Sequence, residues 1–317
     1  MKRILFNLIY NKILSNNIIL PFKKNIRYIF LFHDLSPVSA IHHNDVYSTD
    51  LEVFKNNVEW IRNHFKMVTI DQITNPDYLD HYPSNLASIV FDDGFHSVLE
   101  YGFPFLKSLN IPFAVFANQA AIQENWLWCS NILMAVNQKN NNYLQQIYGN
   151  YMDEHNLSYD DFLKDPLGSL NNSSKLKDDY SSFRDGSIEK QKVYLDESDI
   201  KYLYSEGVVI GNHTKTHKHL STCSTHIIVE EIIENKQYLQ NLLGTEIKHF
   251  AIPFGFHTTY NEFALKAMQA NHEFIYGTMK DRLKGAVQSL IPRIGLRSET
   301  KSEIISYVNY PLLRNIS

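Results

Sequence analysis

Two short strings carry residue types suited to hydrolysis, Asp92-Asp93-Gly94 and His213-Thr214-Lys215-Thr216-His217, and a third, the turn-forming Pro253-Phe254-Gly255, has a similar setting. One carboxylate and two neutral imidazoles form a facial set that suits a divalent transition metal and leaves coordination positions open. A second carboxylate directly beside that set can take a proton from an attacking water. Singly, each string is weak. One His-x-x-x-His pair is about what chance supplies for 14 histidines in 317 residues, and Asp-Asp-Gly is also a turn signal. What they share is a place: each follows directly on an apolar run.

Such runs recur down the chain. Residues 28–32 lead into His33-Asp34, 87–91 into Asp92, 113–116 into Ala117-Asn118, 208–210 into Gly211-Asn212-His213, and 249–252 into Pro253. Residues 274–276 and 289–291 look like two more. Continuous apolar runs are expected of strands buried on both faces. Helical patterns fall between them, at 51–64 (after the cap region Ser48-Thr49-Asp50), 98–109, 197–206, 225–243 and 260–270. Alternating strands and helices predict a parallel α/β fold, and about seven strands favour a barrel over an open sheet. In such folds the site forms at the carboxyl ends of the strands. His33, Asp92, Asp93, His213, His217, Pro253, Phe254 and Arg293 are the polar or turn residues expected there.

Composition narrows the class. With 30 Lys+Arg against 34 Asp+Glu the net charge is −4, a poor match to nucleic-acid phosphates, so no nucleic-acid partner is expected. Two cysteines, Cys129 and Cys223, cannot build a disulfide framework or a four-cysteine zinc site. The balance is that of a globular protein, 44% hydrophobic and 20% charged.

Residues 1–27 form a basic extension with six Lys or Arg and no acid. Asn and Lys interrupt its apolar positions too often for a signal peptide or a membrane-spanning helix. The expectation is a cytoplasmic protein with this segment packed on the domain edge, or lying on an anionic membrane as a peripheral contact. Residues 28–317 then form one domain. A polar insertion, roughly 125–200 and richest in Asn, Ser, Asp and Tyr over 137–195, breaks the rhythm. It reads as surface helices and loops, or as a lid over the site.

The strings Val90-Phe91-Asp92-Asp93-Gly94, His213 to His217 and Phe250-Ala251-Ile252-Pro253-Phe254-Gly255 together resemble the polysaccharide deacetylases of carbohydrate esterase family 4, the NodB-like homology domain. Order and strand context agree over roughly residues 28–296. The resemblance implies a distorted (β/α)7 barrel that removes acyl groups from sugars. It implies one divalent metal, usually zinc with cobalt, nickel or iron as substitutes, bound by Asp93, His213 and His217. It makes Asp92 the general base, Phe254 the backbone donor to the oxyanion, and Thr214 a supporting hydroxyl.

Two departures stand out. Where many members carry an Arg that holds the catalytic Asp, this chain has Ala251. The variant is similar to the branch acting on exopolysaccharides and lipopolysaccharide-type glycans, in which a later Pro-Arg pair is common. Pro292-Arg293 fits, so Arg293 becomes the cation expected to keep Asp92 ionised. The usual C-terminal Leu-x-x-His is missing, since no His follows His272. His33 is then the first candidate for general acid, with His219 and His257 in reserve. Trp126 and Trp128 open the insertion as a candidate platform for a sugar ring, and Pro253 is a candidate substrate contact. Cys129 reads as a buried thiol, and Cys223 as structural although near the His motif.

The resulting expectation is a metal-dependent amidohydrolase acting on an acylated sugar in a glycan, nucleotide-sugar or lipid-linked precursor. Two rivals stay open. One is a glycan-binding protein with a decayed site, favoured by the missing Arg and His and opposed by the intact Asp-Asp and His-x-x-x-His. The other is a deformylase on a lipid-linked amino sugar.

Overall fold

A computed structural model describes residues 27–37, 48–81, 85–129, 132, 136, 141–154, 156–164, 192–278, 290–297, 303–305 and 308. The basic extension and its membrane contact therefore lie outside the described residues, as do 165–191 of the insertion. No helix among the described residues is long and apolar enough to cross a membrane.

Ten strands are present among the described residues: β1 (Arg27–Phe32), β2 (Asp34–Ser36), β3 (Ser48–Asp50), β4 (Lys66–Met67), β5 (Leu86–Phe91), β6 (Phe113–Ala117), β7 (Val209–Asn212), β8 (His249–Ala251), β9 (Phe274–Thr278) and β10 (Ile291–Gly295). All pairings in the main sheet are parallel, in the order β1-β10-β9-β8-β7-β6-β5-β4. β1 also pairs with β5 along its whole length, from Arg27 opposite Leu86 to Phe32 opposite Phe91. That pairing closes seven strands into a barrel and leaves β4 as a short flank on β5. The ring is uneven: β7 and β8 share a single register pair, Asn212 with Phe250.

Alternation along the strands builds two apolar layers. Ile29, Leu31, Val90, Ala114, Phe116, Ala251 and Tyr276 share one cluster, the barrel interior. Their neighbours Tyr28, Phe30, Phe32, Ile89, Phe91 and Val115 belong to another, under the surrounding helices. Successive side chains point to opposite faces, and both faces are covered, which is why these strands read as unbroken apolar runs.

The helices fall close to the sequence pattern. Leu51–His64 starts at Asp50, whose carboxylate accepts from the amides of Glu52 and Val53. Glu197–Ser205 starts at a capping box between Asp196 and Asp199. The 98–109 and 225–243 segments each hold a π-helical turn, at Val98–Gly102 and Glu230–Glu234. Of the insertion, Asn141–Glu154 and Tyr159–Lys164 are helical, and their Leu144, Met152 and Phe162 are buried in the larger cluster.

One strand differs from expectation. The last runs over Ile291–Gly295, two residues later than 289–291. Pro292 reads as a stop because it lacks a ladder donor, yet Pro is tolerated near a strand's start. The shift moves Arg293 from a strand end into the middle of β10.

Candidate active site

The parallel strands deliver their carboxyl ends to one mouth of the barrel. His33 follows β1, Asp92 and Asp93 follow β5, His213 follows β7, and Phe254 stands just beyond β8. The Asp92 amide donates to Phe32 O at 3.0 Å, and the His213 amide to Ala117 O at 3.1 Å, extending the ladders into the site.

Asp93, His213 and His217 form a candidate metal centre, with one ligand atom of each within 4.8 Å of the others. Asp93 Oδ1 lies 3.4 Å from His213 Nε2 and 3.3 Å from His217 Nε2. His213 Nδ1 donates to Ala251 O at 2.8 Å, so in the neutral ring Nε2 turns its lone pair towards Asp93. Asp93 Oδ1 is buried and accepts no hydrogen bond among the described residues. Two imidazole nitrogens and a carboxylate oxygen thus converge on one point, and a divalent cation fits this set in place of the proton that Asp92 and Asp93 otherwise favour on His213. Charge agrees: the buried pair Asp92 and Asp93 faces one buried guanidinium, that of Arg293. Burial pushes the Asp93 carboxyl up, and the neighbouring His217 and His213 more than reverse this, holding it far below the usual carboxylate range. Burial lowers His217 to about 4, so its ring is neutral and able to ligate at neutral pH.

Arg293 Nη1 donates to Asp92 Oδ1 at 2.7 Å, and Arg293 Nε to Gly277 O at 3.3 Å. Its guanidinium also stands 5.4 Å from the centre of the Phe116 ring. At 1% exposure, Arg293 is no surface partner. Burial alone would raise Asp92, but the Arg293 charge, followed by His213 and His33, leaves its pKa lowered.

His33 is half-buried within electrostatic reach of both carboxylates. Burial lowers its pKa against the opposing pull of Asp93 and Asp92.

The loops carrying these groups adopt backbone that most residues avoid. Asp93 (φ 69°), Thr214 (67°), His217 (61°) and Phe254 (61°) are left-handed, and every other non-glycine residue so placed among those described is an Asn. Asp93-Gly94 and Phe254-Gly255 are each two consecutive left-handed residues, glycine second. Such strain persists only where surroundings impose it. Here they do. The His217 amide donates to Thr214 Oγ1 at 3.0 Å. Asn118 donates to the carbonyls of His213 and Thr214. Buried Glu231, on the π turn, accepts from the amide and hydroxyl of Thr216. The Phe254 ring stacks on His219 at 3.9 Å and 13°, and meets His217 edge-on at 4.6 Å. The Phe254 amide donates to no group among the described residues.

The sequence reading missed Asn118, Glu231 and the stacking role of His219. Ordinary polar residues at loop and helix positions carry no motif that singles them out. The aromatic platform is corrected. Trp126 and Trp128 are 6% and 2% exposed and belong to the main apolar cluster, because their rings fill the space between barrel and insertion. Pro253 is buried in the turn, its carbonyl accepting from Thr259 Oγ1 at 3.1 Å. Cys223 Sγ donates to His219 O, whereas Cys129 Sγ is the thiol beside His217, 3.8 Å from its Nδ1.

Comparison with known proteins fits this architecture. A family model described as polysaccharide deacetylase matches residues 80–272. A comparison with curated protein sequences finds no match. Among solved structures, the Streptococcus pyogenes deacetylase PplD in complex with acetate is similar at a TM-score of 0.57 and 14% identity, covering 93% of this chain and 99% of its own. BC0361, a polysaccharide deacetylase from Bacillus cereus, is similar at 0.57 and 12%, covering 90% and 69%. IcaB from Ammonifex degensii is similar at 0.54 and 15%, covering 89% and 96%. At these identities the structural likeness speaks to the fold, while the matched model spans more than half of the chain. The chain belongs to the polysaccharide deacetylase family.

Proposed function

We propose that this protein is a metal-dependent deacetylase that hydrolyses the N-acyl amide of a sugar in a glycan or a glycan precursor. The observation that carries this is the convergence of Asp93, His213 and His217 beside the Asp92–Arg293 pair at one barrel mouth. A divalent ion held by Asp93, His213 and His217, with zinc the best fit to this ligand set, supplies a Lewis acid for the acyl carbonyl and makes the attacking water more acidic.

The chain's own groups do the rest. Asp92, ionised by its pairing with Arg293, accepts the proton of the water whose oxygen bonds to the acyl carbon. The Phe254 amide donates to the oxygen on which charge develops, a fixed dipole worth most where water is excluded. As the C–N bond breaks, protonated His33 gives its proton to the leaving amine. The products are a carboxylate and a free amino sugar, and Asp92 and His33 return to their starting states by exchange with solvent. Pro253 shapes the wall beside Phe254 against which the acyl group lies.

The intact acid–base and metal set speaks against a protein that only binds glycans. Mass spectrometry of acylated oligosaccharides and lipid-linked amino sugars, incubated with wild-type and Asp92→Asn protein, tests this function. Loss of an acyl mass with wild type alone supports it, and the size of the loss separates acetyl from formyl. No loss from any acylated sugar, with metal supplied, contradicts it.

A further inference from the structure

His217 is a demanding ligand to place. Its backbone is left-handed, at φ 61°, a conformation that strains a bulky residue and persists only where surroundings impose it. Its ring must also present Nε2 towards Asp93 Oδ1, 3.3 Å away. His213 meets the same need with a main-chain oxygen, donating from Nδ1 to Ala251 O. For His217 the corresponding nitrogen meets sulfur: Nδ1 lies 3.8 Å from Cys129 Sγ. The residue before Cys129 holds the other end of His217, since Trp128 Nε1 donates to His217 O at 3.0 Å. Both side chains are buried, Trp128 at 2% and Cys129 at 3% exposure.

We infer that Trp128 and Cys129, at the start of the insertion, are positioning residues for the metal ligand His217. Trp128 fixes the strained backbone and Cys129 fixes the ring. A ligating imidazole bound through Nε2 carries its proton on Nδ1, and a partner for that proton sets both tautomer and ring angle. A thiol sulfur is a weak acceptor, so the pair acts through placement more than through bond strength. The segment is itself anchored. Asn125 Oδ1 accepts from the amides of Val193 and Tyr194 at 2.9 and 3.0 Å, tying both ends of the insertion to the same point. The insertion therefore does more than cover surface, because its first residues belong to the support of the metal centre.

This inference rests on the metal reading of the site, and the test separates the two. Zn2+ affinity is measured by competition with a chromophoric chelator on the full chain, with near-UV circular dichroism as the check on folding. Trp128→Phe, which keeps a ring but loses the donor, and Cys129→Ala are each expected to weaken Zn2+ binding by about ten- to a hundredfold. Cys129→Ser keeps an acceptor and is expected to recover much of that loss. Cys223→Ala is expected to bind as wild type does. The Co2+ form of wild type is expected to show visible d–d bands that change in Trp128→Phe and Cys129→Ala. Folded Trp128→Phe and Cys129→Ala proteins with wild-type affinity and unchanged Co2+ bands overturn the inference. So does a sulfur-to-cobalt charge-transfer band lost in Cys129→Ala, which would make Cys129 a ligand. Wild-type protein that takes up no Zn2+ overturns the metal site itself.

Discussion

Arg293 Nη1 and Asp92 Oδ1 lie 2.7 Å apart, both side chains buried, although 201 positions separate them in the chain. The guanidinium, together with His213 and His33, offsets the burial that would otherwise raise the Asp92 pKa. A general base works only when ionised, so the acid limb of kcat/KM follows its pKa. Arg293→Met is expected to move that limb to higher pH by about 1–3 units. It should also destabilise the fold by about 3–5 kcal/mol, because a buried carboxylate is left unpaired. Arg293→Lys keeps the charge and should move the limb less. A pH profile of kcat/KM checks this, and an unmoved acid limb in folded Arg293→Met protein contradicts the pairing role.

The stack of His219 on Phe254 gives a second expectation. Neither ring nitrogen of His219 has a hydrogen-bond partner among the described residues, and burial lowers its pKa to about 3. The residue serves as a flat ring rather than as an acid, despite being held in reserve for that role. An unsatisfied buried polar group costs about 1–3 kcal/mol. His219→Phe is therefore expected to raise the melting temperature and keep kcat. His219→Ala should lower kcat more than it changes KM, because Phe254 loses the face that holds its amide. Thermal melts and steady-state kinetics decide, and unchanged kcat in His219→Ala would remove the positioning role.

His33 gives a third. Burial holds its pKa below the ordinary 6.5, so its cationic form is depleted before pH rises to neutrality. The alkaline limb of the rate is expected to follow this loss of the acid. His33→Ala should lower kcat by about 100- to 10,000-fold on an unactivated amide and abolish that limb. The loss should be smaller on a substrate with a good leaving group. Wild-type turnover by His33→Ala would end the proposal.

Much of this was legible in the chain because the barrel strands are buried on both faces. Six of the seven ring strands therefore announced themselves as apolar runs, and their polar termini marked the mouth. β10 was set two residues early because Pro292 reads as a break. The short strands β2, β3 and β4 offer two or three residues each, too few for periodicity to act on. Left-handed backbone shows in sequence only at the glycines, Gly94 and Gly255, while Asp93, Thr214, His217 and Phe254 give no sign of it. Contacts across long separations were invisible for another reason. Cys129 meets His217 across 88 positions, and no local pattern links them. Trp126 and Trp128 were candidates for a sugar platform because an aromatic pair in a polar stretch has no periodicity to reveal which side is covered.

The most direct test strips the protein with a chelator and titrates Zn2+ back while following free amine released from an N-acetylated oligosaccharide. Amine formation is expected to be absent in the stripped protein and to rise with occupancy to a plateau at about one ion per chain. Asp93→Asn should bind weakly, and Asp92→Asn should bind the ion but release no amine. Undiminished amine release by metal-free protein, or by Asp92→Asn, would contradict metal-dependent deacetylation at this site.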